Sequence, residues 1–82
     1  MVMYEAGMLA RSKAGHDKAQ MYIIKEVDDT YVYLVDGRIR TLGHPKKKKK
    51  KHVQIVHGIY NMKELDDAGI RKLINDWMKE EK

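Results

Sequence analysis

Gln20-Met21-Tyr22-Ile23-Ile24-Lys25-Glu26-Val27, then Asp28-Asp29-Thr30, then Tyr31-Val32-Tyr33-Leu34-Val35 and Asp36-Gly37, is the stretch that decides the fold class. Residues 20–27 and 31–35 are rich in β-branched and aromatic side chains, the composition of strands. Asp28-Asp29-Thr30 has turn chemistry between them. In the second strand, period two places Tyr31, Tyr33 and Val35 on one face and Val32 and Leu34 on the other. Asp36-Gly37 is a short hairpin signal, because a two-residue type I′ turn needs φ > 0 at both central positions.

Working outward, that hairpin predicts a fourth strand over residues 38–42, with Arg38 and Arg40 on one face and Ile39 pointing to the core. Upstream, Met8-Leu9-Ala10-Arg11-Ser12 reads as the first strand, and Ala14-Gly15-His16-Asp17 as a turn. Downstream, Gly43-His44-Pro45 ends the fourth strand, and six adjacent lysines follow as a loop or strand extension. Residues 53–56 make a short fifth strand. Five short strands in about fifty residues suggest a small barrel.

The period then changes. Ile70, Leu73, Ile74, Trp77 and Met78 fall on one stripe of an α-helix. Asp66 or Asp67 suits its N-cap, and Asn61 with Glu64 resembles a capping box for a preceding turn. The expected organisation is a barrel over residues 1–60, with a lysine-rich loop at 44–52, and a C-terminal helix within 61–82 packed on it.

The chain has 82 residues and no Cys, so neither disulfides nor thiolate metal sites are available. A domain this size hides only about 60–65% of its unfolded surface, and the helix stripe is needed to enlarge the core. No apolar run is long enough to span a membrane, and the first eight residues do not read as a secretory signal, so a cytoplasmic protein is expected. The net charge of +5 is uneven: residues 1–60 hold twelve Lys/Arg and six Asp/Glu, residues 61–82 five and six. No acid lies between Arg38 and His52. Lys46, Lys47, Lys48, Lys49, Lys50 and Lys51 cannot be buried together, and beside Arg38 and Arg40 they form a concentrated positive potential whose commonest partner is a phosphate backbone. His44 and His52 flank the run as further donors to phosphate.

At Gly7-Met8-Leu9-Ala10-Arg11-Ser12-Lys13-Ala14-Gly15-His16-Asp17-Lys18, followed by Met21-Tyr22-Ile23-Ile24-Lys25-Glu26-Val27, the chain resembles the KOW motif. The continuation Tyr33-Leu34-Val35-Asp36-Gly37-Arg38 resembles the KOW proteins of the fourteen-e type in archaeal and eukaryotic large ribosomal subunits. Small bacterial KOW-domain proteins share the lysine-rich stretch and the capped C-terminal helix, so the resemblance covers nearly the whole chain. It implies an SH3-like barrel that binds ribosomal RNA, with Arg11, Lys13, Gly15, His16 and Lys18 as the RNA-facing loop. Ala19 departs from the pattern, standing where many KOW sequences have Gly.

Other classes are weaker. Ser12 is the only serine, no thiol nucleophile exists, and no phosphate-cradling glycine loop occurs. The four histidines form no metal box. A polybasic membrane patch lacks a second anchor, and a nuclear-localisation reading of the lysines has only composition behind it. Tyr22, Tyr31, Tyr33 and Tyr60 could stack bases, but such residues more often fill a small barrel, and with no Phe in the chain some of them must do so. The expected function is therefore noncatalytic binding of ribosomal RNA or association with the ribosome, by a monomer without cofactors, with ribosomal proteins as further partners. The rival is a protein-interaction adaptor using the barrel or the Trp77 stripe.

Overall fold

The computed structural model describes residues 3–13 and 20–80. Gly15, His16, Lys18 and Ala19, with the turn expected at 14–17, lie outside them. Five strands, β1 (Met8–Ser12), β2 (Met21–Val27), β3 (Tyr31–Val35), β4 (Lys46–Lys49) and β5 (Val53–Ile59), precede one helix, α1 (Asp67–Glu80). The strands form one antiparallel sheet in the order β4-β3-β2-β1-β5.

Connectivity forces that sheet to curl. β4 and β5 are its two opposite edges, yet only the 3₁₀ turn Lys50–His52 separates them in sequence. In a flat sheet the outer strands would lie roughly 19 Å apart, whereas the four residue steps from Lys49 to Val53 reach at most about 14 Å. Register shifts in the β1–β5 pairing, where Met8, Leu9 and Ala10 face Ile59, His57 and Ile55, and in β2 between Ile24 and Glu26, add the local twist that helps bring the edges together. The result is the small barrel-like sheet with a C-terminal helix that the strand pattern implied.

Both faces of the sheet are buried. Ala10, Tyr22, Ile24, Val32, Leu34 and Val53 form one cluster. Leu9, Met21, Ile23 and Val35 form the other, together with Ile70 and Ile74 of α1. The strand alternation read from the sequence holds in β3, where Val32 and Leu34 belong to one cluster and Val35 to the other.

The fourth strand is not where the hairpin reading put it. Asp36 is buried, and its Oδ1 accepts from the backbone N–H groups of Arg38 and Arg40, both at 2.9 Å. The N–H of Leu42 donates to Asp67 Oδ1. Carboxylates thus claim the donors at 38, 40 and 42 that one edge of a strand would need for its ladder. The segment becomes a knotted turn and loop, and Ile39, expected in the core, is 83% exposed. The vacated edge of β3 is filled instead by the lysines, pairing Tyr31 with Lys49, Val32 with Lys48, Tyr33 with Lys47 and Leu34 with Lys46. The expected lysine-rich loop at 44–52 is therefore a paired strand and a 3₁₀ turn over most of its length. β5 also runs on to Ile59, past the expected end at 56.

Asp66 is the N-cap of α1, its Oδ1 accepting from Gly69 N–H at 2.7 Å. Asn61 caps the short 3₁₀ turn Met62–Glu64 through Lys63 N–H. Ile70 and Ile74 are buried and Leu73 and Trp77 half-buried against them, but Met78, read as part of the same stripe, is 49% exposed.

Candidate nucleic-acid interface

Pairing with β3 sorts the lysines by period two. Cross-strand partners share a face, so Lys46 and Lys48 lie on the side of Leu34 and Val32, where they are half-buried. Their aliphatic stems can cover the cluster edge while the ammonium groups reach outward. Lys47 and Lys49 are exposed on the opposite side with Tyr31 and Tyr33. Lys47 Nζ sits 4.2 Å from the centre of the Tyr31 ring, a cation–π contact that fixes both side chains.

The end of the run is anchored. Lys50 N–H donates to the Thr30 carbonyl, and its Nζ to the Asp29 carbonyl at 3.2 Å. Tyr4 Oη donates to the Lys50 carbonyl at 2.9 Å. Lys13 N–H donates to the His52 carbonyl at 2.8 Å. That bond brings Lys13 to the end of the lysine run, joining two residues 39 positions apart in the chain.

Asp28, an acid near β4, is committed to the β2–β3 turn. Asp28 Oδ1 accepts from the N–H groups of Tyr31 and Thr30, and its Oδ2 from Tyr33 Oη. The backbone donors hold its carboxyl below the ordinary carboxylate value, and the same contact raises the Tyr33 phenol above its own.

At the start of β4 the basic surface opens into a groove of about 570 Å³ between the 36–40 turn and α1. Four cations line it: Arg38, Arg40, Lys46 and Arg71. Among the described residues that line it the one acid is Asp36, whose Oδ1 is already occupied by two backbone donors. Arg71 Nη1 donates to the Gly37 carbonyl at 3.0 Å, and Arg38 Nη2 approaches Asn75 Oδ1 at 3.4 Å, so the turn and the helix hold each other. Tyr22 and Ile74 supply apolar wall, and Ile39 and Met78 carry apolar surface into solvent.

Arg38 and Arg40 do not share a strand face, as first read, yet both line this groove with Lys46. Lys51 is exposed and His52 half-buried at the 3₁₀ turn, Arg11 is half-buried on β1, and His44 is exposed on the 41–44 turn. Arg71 was missed by sequence reading, which treated the helix as a source of core or, through the Trp77 stripe, of a protein-docking surface. Its signal was a second helical stripe, Arg71, Asn75 and Met78 at i, i+4 and i+7, beside the apolar one. Among the described residues no helix is long and apolar enough to cross a membrane. Compared with known proteins, the chain matches no family model and no curated sequence.

Proposed function

We propose that this protein is a noncatalytic RNA-binding protein of the KOW type, acting on ribosomal RNA or within a ribosome-associated complex. The observation that carries the reading is the lysine run held as a paired strand, joined at one end to Lys13 and His52 and at the other to the Arg38–Arg40 groove. A lysine tract in a solvated loop must be ordered when it binds; one already in a ladder has its backbone fixed beforehand, which lowers the cost of association. Lys47, Lys49 and Lys51 contact phosphates, and phosphate contacts position the protein without reading sequence. Specificity then comes from RNA shape and from the loop that begins at Lys13.

The test is RNA binding across a salt series. With four to six phosphates neutralised, the log–log slope lies at about −3 to −5. A slope near zero rejects the reading. Salt-insensitive capture of a protein instead would favour the adaptor, whose Trp77 stripe is already engaged with the core cluster.

A further inference from the structure

Among the described residues, Met3, Ile39 and Met78 are the large apolar side chains left exposed, and two of the three meet at the cationic groove. A phosphate backbone alone gives no reason for that pairing. Paired RNA presents charge and sugar edges along its flanks, and its base faces are covered by stacking. A groove with four cations at its wall and two exposed apolar side chains at its rim fits a ligand that is anionic at one end and flat and apolar at the other.

We propose that the groove seats one unpaired nucleotide of the bound RNA. Arg38, Arg40, Arg71 and Lys46 hold its phosphate, and its base lies against Ile39 and Met78. This deepens the RNA-binding reading and rests on it. The size agrees: about 570 Å³ lies within the range of small-ligand sites, and it suits a single nucleotide rather than a helix. The charge agrees, because among the described residues lining the groove four are cations and the one acid, Asp36, has its Oδ1 engaged by the backbone of its own loop. The side-chain amides of Gln20 and Asn75 also line it and supply donors and acceptors for a base edge. The seat is firm on the protein side, since Arg71 ties the helix to Gly37 and Asp67 ties it to Leu42.

The test uses the full chain and three probes followed by amide NMR: adenosine monophosphate, inorganic phosphate and adenosine. The monophosphate is expected to shift the amides of Arg38, Ile39 and Asn75 and to saturate at least tenfold below either fragment. In parallel, an RNA hairpin with one bulged nucleotide is compared with a fully paired hairpin of equal length at fixed salt. Arg71→Gln should weaken the bulged RNA about tenfold and the paired one by less than twofold. Ile39→Ser, at a position 83% exposed and therefore neutral to folding, should act in the same direction. Equal losses on both RNAs, or a monophosphate no better than phosphate, would overturn the seat while salt-dependent RNA binding through Lys47 and Lys49 still stands. A glutamate-rich peptide that shifts the groove more strongly than the monophosphate would overturn it in favour of a protein ligand. Monophosphate binding by a protein that binds no RNA would also overturn it, making the groove a mononucleotide site.

Discussion

The backbone N–H of Leu42 donates to Oδ1 of Asp67 at 2.8 Å, joining the loop that follows β3 to the first residue of α1. Lys25 Nζ ties the same loop to β2, donating to the Leu42 carbonyl at 2.9 Å. With Arg71 on the Gly37 carbonyl, these bonds make the helix one wall of the groove and the 36–42 segment the other. Stability and binding geometry therefore share residues here.

Asp36→Ala is expected to destabilise the protein by about 2–4 kcal/mol, because it strands two backbone donors beside a buried site. Asp67→Ala should cost less, about 1–2 kcal/mol, since one donor is affected. Denaturant melts of the two variants check the order. A neutral Asp36→Ala would mean that the turn is held by its backbone bonds alone.

Gly37 has φ +77, and a Cβ there would collide with the Asp67 carbonyl oxygen and stand 2.9 Å from Arg71 N. The obstacle is helix backbone, which cannot swing aside as a side chain can. Gly37→Ala should cost about 3 kcal/mol or more, combining conformational strain with overpacking, and should open the groove. A melt with a midpoint close to that of the parent chain would contradict this close approach of turn and helix.

Six adjacent lysines, four of them in a ladder, repel one another, so added salt should stabilise the free protein while weakening RNA binding. Lys49→Thr should raise stability by a few tenths of a kcal/mol through β-propensity and relieved repulsion. Lys47→Thr should gain less, because the Tyr31 contact is lost with it. Replacing Lys47, Lys49 and Lys51 with Gln should flatten the salt slope by about 2–3. Thermal melts in low and high salt, beside the binding series, check both signs.

Asp28 gives the acid limb of stability. Its folded pKa is lowered from 3.8, first by the Tyr31 and Thr30 backbone donors. The stability it contributes is present above its unfolded value and is lost as the pH falls through the lower folded one. Asp28→Ala should flatten the dependence of the melting midpoint on pH below about 4. An unchanged acid limb would place that sensitivity on other carboxylates.

For the helix, burial ranks the positions. Ile70 is fully buried and Trp77 only half-buried in the same cluster. Ile70→Ala should cost about 2–5 kcal/mol, and Trp77→Ala less than Ile70→Ala although the side chain is larger. A larger loss at Trp77, measured by denaturant melts, would show that its indole closes more of the core than its exposure implies.

The sequence by itself determined the parts whose information is local. Residues 21–27 and 31–35 carry the β-branched and aromatic composition of strands, and Ile70, Leu73, Ile74 and Trp77 repeat at the spacing of a helix face. Mutual repulsion likewise dictates that six lysines lie at the surface. Which segment completes the sheet was a matter of competition. Residues 38–42 have the better strand composition, but Asp36 and Asp67 take their donors, and Asp67 acts from 25 residues away. The lysines hold the edge of β3, and the three-residue link Lys50–His52 then carries the chain across the curled sheet to β5. The same contest created the groove: expelling 38–42 from the sheet put Arg38, Ile39 and Arg40 opposite Arg71, Asn75 and Met78. No window of sequence contains both sides of that pairing, so only the tertiary structure decided it.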